Sequence, residues 1–156
     1  MFSAQASAKG VLPLFKKIDH IGLVVSDLEA AKDFFLALGF TIVNRRLLEG
    51  EWLDKVVNLP DVKAEYIALT IPDTQTNLEL LKFYTPEGNR DSHISMSNQI
   101  GFRHIALEVK DIESVVVSLK KKGITFFSDI QMFDNQKKLC YFLGPEGIIL
   151  ELDEYL

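Results

Sequence analysis

His20-Ile21-Gly22-Leu23-Val24-Val25-Ser26-Asp27-Leu28-Glu29 is answered 84 residues later, without a gap, by His104-Ile105-Ala106-Leu107-Glu108-Val109-Lys110-Asp111-Ile112-Glu113. Gly39 falls on Gly123 and Thr41 on Thr125 at the same offset. Later in each half Leu78-Glu79-Leu80 recurs as Leu150-Glu151-Leu152, with an aromatic four residues after each glutamate, Phe83 and Tyr155. Repetition of this kind means that one supersecondary unit occurs twice.

The periodicity changes in the same order within each half. His20 to Val25 and His104 to Val109 alternate as strands do. Leu28, Ala31, Phe34, Phe35 and Leu38 then take helical spacing, with Ser26 and Glu29 reading as a capping box and Gly39 as the stop. Ile112, Val115, Val116 and Leu119 form the second stripe, with Asp111 as the cap, Lys120, Lys121 and Lys122 facing the negative helix end, and Gly123 as the stop. Strand-like runs follow at residues 40–47, 62–71 and 77–84, and again at 125–130, 137–143 and 148–152. The run 49–59, with Trp52, Val56 and Leu59 apolar, predicts a short helix over the first sheet. The fold class is therefore α+β, two modules of strand, helix and three strands. The organisation expected is a mobile N-terminal arm at 1–14, a first module at 15–84, a polar linker at 85–99 and a second module at 100–156, together one domain.

Composition narrows the function. The 156 residues are 47% hydrophobic and 25% charged, which suits a single folded unit with a sizeable core. No apolar run approaches the length of a membrane span, and the first residues lack a signal-peptide pattern, so no membrane partner and a cytoplasmic location are expected. Seventeen Lys and Arg against twenty-two Asp and Glu give a net charge of −5, which disfavours nucleic acid as a partner. The lone Cys140 supports neither an internal disulfide nor a zinc finger, and it has no neighbouring base to make it a nucleophile.

Two of the three histidines occupy equivalent strand positions. Alternate strand residues share a face, so His20 is set apart from Ile21 and Leu23, Glu79 from Leu78 and Leu80, His104 from Ile105 and Leu107, and Glu151 from Leu150 and Leu152. All four polar residues face away from the helices within otherwise buried-looking strands, where a carboxylate needs a pair, a hydrogen bond or a metal. Two imidazoles and two carboxylates converging on one point make a ligand set for one divalent ion per site, zinc, nickel, cobalt or manganese, with positions left open for a small-molecule substrate. Gly22 and Ala106, two residues beyond each histidine, are small enough to leave room above such an ion. His93 lies in the polar linker and has no repeat partner, so it is not a candidate ligand.

The paired H-I-x-L-x-V and L-E-L segments, with the turn Gly144-Pro145-Glu146-Gly147 before the last strand and Gly50-Glu51-Trp52 in the first half, resemble the vicinal oxygen chelate superfamily of glyoxalases, bleomycin resistance proteins and extradiol dioxygenases. The resemblance covers about residues 17–156. It implies two βαβββ modules forming a cup-shaped mixed β-sheet with helices on the outer face. It also implies that the first and last strands of each module supply the ligands, here His20, Glu79, His104 and Glu151. That order of ligands is similar to glyoxalase I, which implies a lactoylglutathione lyase-like isomerisation: the substrate's vicinal oxygens bind the metal and a metal-bound glutamate moves a proton, with Glu151 as the catalytic shuttle and Glu79 as the second candidate.

Departures from other branches narrow the resemblance. Extradiol dioxygenases use one glutamate, so Glu79 argues against them. Methylmalonyl-CoA epimerases place Gln where Glu79 stands and carry a second glutamate where this chain reads Leu59-Pro60-Asp61-Val62. Resistance proteins lack the metal set and use aromatic clefts, for which Trp52, Met132, Phe133, Tyr141 and Phe142 are the residues available. An epimerase-like enzyme and a non-catalytic binding protein are the alternative functions. Of Arg45 and Arg46, adjacent in a strand, at most one faces the cup, where its guanidinium suits an anionic tail of the substrate. Glu108 shares the face of His104. A homodimer is expected, because modules of this kind pair within one chain or across two, and the second arrangement shares each site between chains.

Overall fold

The strand and helix periodicities resolve into two successive βαβββ units in the computed structural model, which describes residues 14–91 and 93–156. The first unit runs β1 (His20–Val24), α1 (Leu28–Ala37), β2 (Thr41–Glu49), α2 (Glu51–Val57), β3 (Lys63–Thr70) and β4 (Asn77–Thr85). The second runs β5 (His104–Glu108), α3 (Ile112–Lys121), β6 (Gln131–Phe133), β7 (Lys137–Leu143) and β8 (Ile149–Tyr155). The arm expected at residues 1–14 falls almost wholly outside the described residues. No helix among those described is long and apolar enough to cross a membrane.

Each unit folds into a four-stranded mixed sheet, of order β1-β4-β3-β2 and β5-β8-β7-β6. The helical crossover after β1 and after β5 forces those strands to run parallel to the last strand of their unit, while the remaining pairs are antiparallel. The α+β class and the paired modules follow the repeat, and no ladder joins one sheet to the other among the described residues. They meet through their helices instead. Leu28 and Phe35 of α1 share one apolar core with Ile112, Val116 and Leu119 of α3 and with Phe142 and Leu150 beneath them. α2 packs on the opposite face of the first sheet, where Leu53 closes over Ala64, Val62, Leu48 and Phe83.

Two local expectations are corrected. Asp27, not Ser26, caps α1, accepting from Ala30 N at 2.9 Å. Ser26 is turned to the other module, where its amide and hydroxyl donate to Glu146 at 2.5 and 2.7 Å. The run 125–130 is not a strand. Phe126 forms a single bridge with Phe142 and stacks on its ring at 5.4 Å, and polar Ser128 and Asp129 end the pairing before β6 begins at Gln131. The basic end of α3 serves its neighbour as well, because Lys122 Nζ donates to the Ala37 carbonyl at the negative end of α1 (2.7 Å). Ahead of β5, the expected linker is stitched to the β7–β8 turn by Ser95 Oγ donating to the Gly147 carbonyl (3.0 Å). Gly147 has φ +87°, and a Cβ there would lie 2.3 Å from Ser95 Oγ, so a larger residue would be strained and would displace the Ser95 hydroxyl.

Candidate metal centre

Strand pairing fixes which residues share the face away from the helices. Gly22, Glu79, Ala68 and Asn44 form one cross-strand row of the first sheet, and Val24, Leu81, Tyr66 and Arg46 form the next. In the second sheet Ala106, Glu151 and Tyr141 make the corresponding row, followed by Glu108, Asp153 and Leu139. The parity read from the alternating sequence holds for all four candidate ligands.

Within the first sheet His20 Nε2 lies 3.5 Å from Glu79 Oε2, and its other ring nitrogen, Nδ1, lies 3.0 Å from Asp19 Oδ2. An ionised carboxylate accepts only, so Asp19 is placed to take a hydrogen from Nδ1, which leaves Nε2, on the Glu79 side, as the ring nitrogen available to an ion. This carboxylate–imidazole arrangement is the one that orients metal-binding histidines. The His20 contact, with help from Lys17, holds the Asp19 carboxyl below its ordinary value. Gly22 is small for a reason the sequence did not show: a Cβ there would meet Leu81 Cδ1 at 3.2 Å, so the space expected above the site is partly taken by Leu81.

The second sheet holds its pair in a drier setting. His104 Nε2 is 3.0 Å from Glu151 Oε2, and the His104 ring packs against Tyr141 with centroids 5.2 Å apart. Glu151 and Asp153, two residues apart on one strand face, are both buried, at 5% and 6% exposure. Burial, and then the neighbouring Asp153, push the Glu151 carboxyl above its ordinary value, against the pull of His104 and Lys137. Lys137 reaches both carboxylates, with Nζ 3.0 Å from Asp153 Oδ1 and 3.7 Å from Glu151 Oε1. Asp153 Oδ1 is buried, and the Lys137 ammonium is the cation that faces it.

Asp153 and Lys137 escaped the sequence reading. The strand period of two from Glu151 reaches Asp153, and the position of Lys137 one strand away needs the β7–β8 register. The structure pairs His20 with Glu79 and His104 with Glu151 but does not unite the pairs: among the described residues no three His, Cys, Asp or Glu side chains of one chain converge as a metal site. The donor set suits a divalent ion all the same. Each half offers an imidazole nitrogen beside a carboxylate oxygen, and the second half carries more buried negative charge than Lys137 alone neutralises.

The other candidates divide by face. Arg45 turns to the helix side, where it is bound by Glu29 of α1 and Glu65 of β3, both at 2.5 Å, leaving Arg46 on the face that carries Glu79. Among the aromatic-cleft residues, Phe142 belongs to the core, Tyr141 lies beside His104, and Trp52, Met132 and Phe133 are exposed. Glu108 shares the His104 face, in register with Asp153. His93 sits in the connecting segment with Nδ1 3.9 Å from Asp91. Cys140 is buried and its thiol is pushed up to about 11 by burial, in keeping with an inert role.

The profile of the Glyoxalase/Bleomycin resistance protein/Dioxygenase superfamily matches residues 17–152, spanning both modules. The chain belongs to this superfamily. It is 32% identical to a glyoxalase family protein of Bacillus cereus of known crystal structure, with a TM-score of 0.84 over 97% of this chain and 99% of that one. It is 26% identical to the mitochondrial methylmalonyl-CoA epimerase of Mus musculus over 147 residues, which is 91% of this chain and 76% of that protein. A shorter match of 81 residues, 33% identical, links half of this chain to 24% of glyoxalase I of Saccharomyces cerevisiae. This vicinal oxygen chelate superfamily includes enzymes among these relatives and accounts for the two repeated βαβββ modules.

Proposed function

We propose that this superfamily member is a divalent-metal-dependent lyase or isomerase of the glyoxalase I type, acting on a small substrate with vicinal oxygens. The observation that carries the reading is the pair of histidine–glutamate contacts, His20 with Glu79 and His104 with Glu151, at repeat-equivalent positions on the open faces of their sheets. His20, Glu79, His104 and Glu151 would hold zinc, nickel, cobalt or manganese, which when bound polarises the substrate oxygens as a Lewis acid. A homodimer completes the centre, with His20 and Glu79 of one protomer facing His104 and Glu151 of its partner. Two features support that assembly: the pairs do not meet in one chain, and Val24, Phe133 and Tyr155 stand more than half exposed on the faces that carry them.

The chain's own groups suit a proton transfer next to a carbonyl. Glu151 is the base of choice. Its carboxyl already favours the proton more than an ordinary glutamate does, and its side chain is 7% exposed against 23% for Glu79. Asp19 orients the His20 ring, and Lys137 keeps Glu151 and Asp153 from repelling each other apart. An epimerase of an acyl thioester is the second reading. It has the same proton chemistry, and it is favoured by the similarity to methylmalonyl-CoA epimerase along 91% of this chain.

Elemental analysis of protein purified without chelator or nickel resin tests the metal centre. Near one transition metal per chain in the parent is expected, with loss in His104→Ala and in Glu79→Gln. A metal-free parent that also fails to load zinc, nickel, cobalt or manganese would leave a non-catalytic binding protein as the surviving reading. Given metal, activity on 2-oxoaldehyde–thiol adducts against acyl thioesters separates the two enzymes.

A further inference from the structure

Adjacent arginines in a strand point to opposite faces, and here the two are treated very differently by their surroundings. Arg45 is clamped between Glu29 of α1 and Glu65 of β3, and those two carboxylates hold its guanidinium far above its ordinary value. The clamp fixes the rotation of β2 about its own axis, because the residue after Arg45 must then face away from α1. That residue is Arg46, in register with Tyr66 and so in the row next to the one that holds Asn44, Ala68 and Glu79. Arg46 is exposed and makes no ion pair or hydrogen bond among the described residues.

Its position is unusual in charge. The open faces carry Glu79, Glu108, Glu151 and Asp153, and Lys137 is occupied by two of these. Lys82 and Glu65 belong to the helix side, in register with Leu47. Of these carboxylates only Glu79 shares the sheet face of Arg46, the other three lying on the second sheet, so the unengaged guanidinium is placed to take an anion that arrives from outside. Two strand spacings and two residues along the strand separate the Cα atoms of Arg46 and Glu79 by about 12 Å. Glu79 leans to His20 on the β1 side while Arg46 stands on β2 at the other edge of the sheet, so a molecule of about five carbons bound by its vicinal oxygens near Glu79 and lying toward β2 brings its far end within reach of the Arg46 side chain.

We infer that Arg46 selects substrates carrying an anionic tail, a carboxylate or a phosphate, a few bonds beyond the vicinal oxygens. This inference rests on the proposed metal centre. Guanidinium is suited to the task because its planar fork bonds both oxygens of a carboxylate or two of a phosphate. An exposed charge-assisted contact of this type corresponds to about a tenfold preference in affinity. Arg46 acts on substrate selection only, and metal loading is independent of it.

Calorimetric titration separates the two claims. Metal is first titrated into the parent protein and into Arg46→Gln and Arg46→Lys, with equal loading expected in all three. The loaded proteins are then titrated with 2-oxoglutarate and 2-oxopentanoate, which share the chelating end and the chain length and differ in the tail carboxylate. The parent is expected to bind 2-oxoglutarate about tenfold more tightly, Arg46→Gln to lose the preference while binding 2-oxopentanoate unchanged, and Arg46→Lys to retain part of it. A third probe, 2-oxo-4-phosphonobutanoate, distinguishes the sources of the anion: tighter binding than 2-oxoglutarate points to a phosphate tail, and weaker binding to a carboxylate tail. A loaded parent that binds neither of the first two probes, or both equally, or a preference that survives Arg46→Gln, overturns the inference and leaves the metal centre standing. Failure of the parent to load metal overturns both.

Discussion

Lys137 is the group whose removal most directly tests how the second half-site is held together. Its ammonium lies 3.0 Å from Asp153 and 3.7 Å from Glu151, both almost fully buried, and its own side chain is 20% exposed. Lys137→Met keeps the apolar stem and removes the charge. Removing one partner of a fully buried pair costs about 3–5 kcal/mol. The face here is open at one side, and Glu151 can shed its charge by taking a proton, so about 2 kcal/mol is expected. For a chain of this size that corresponds to a fall of about 4–8 °C in Tm.

The pH dependence follows from the direction of the shifts. The folded-state carboxyl of Glu151 titrates above the ordinary 4.5, so its contribution to stability is complete below 4.5 and is lost as the pH rises through the raised value. Lys137 is one of the groups that hold that value down, and its own ammonium stays charged throughout this range because Asp153 raises it above 10.5. Without it the Glu151 carboxyl moves higher still, and the gap between parent and variant widens from pH 5 to pH 8. Urea or thermal unfolding in the presence of EDTA, at one fixed protein concentration, measures this. Lys137→Met combined with Asp153→Asn should lose less than Lys137→Met alone, because one of the two stranded charges is gone. A cost below about 0.5 kcal/mol, or the same cost at both pH values, would refute the idea that Lys137 neutralises this site.

Three further outcomes are expected. Mixing unfolded His20→Ala and His104→Ala chains and refolding them together should restore one metal per heterodimer, since one shared site is then intact; no recovery in the mixture argues for sites built within single chains. Glu146→Ala removes the acceptor of Ser26 N, Ser26 Oγ and Asp27 N that ties the β7–β8 turn to α1, and should cost about 1–2 kcal/mol in urea unfolding at pH 7. Burial raises the Glu146 carboxyl, but the Ser26 and Asp27 donors outweigh it and the net shift is downward, so this contribution is present above 4.5 and fades as the pH falls through the lower folded value. Parent and variant should then converge as the pH is taken well below 4.5. Cys140, buried and with its thiol near 11, should react with a thiol-specific disulfide reagent only on unfolding, and rapid native labelling would contradict its place in the core.

What the repeat determined was everything that depends on short-range geometry. Strand parity alone set His20, Glu79, His104 and Glu151 away from the helices, because successive side chains alternate whatever the sheet does next. Helical spacing and Gly39 and Gly123, at φ +100° and +82°, marked both crossover helices and their ends. Where two local signals competed the sequence was ambiguous. Ser26 and Asp27 are both good caps, and the choice fell to Asp27 because Glu146, 120 residues away, holds Ser26. Likewise Thr125 to Ile130 has strand-forming residues, but Phe126 is drawn onto Phe142 and the ladder starts later.

Tertiary structure decided the relations between elements. That Arg45 turns inward and Arg46 outward depends on where Glu29 of α1 lands, a contact no spacing encodes. That Asp153 and Lys137 crowd Glu151 depends on the β7–β8 register, and that Leu81 fills the space beside Gly22 depends on the β1–β4 register. Above all, the two histidine–glutamate pairs, alike in local sequence, end on separate sheets that share a core through their helices. Local periodicity fixes the face on which a side chain lies, whereas the docking of one module on the other follows from the apolar burial between α1 and α3, which involves residues more than 70 positions apart.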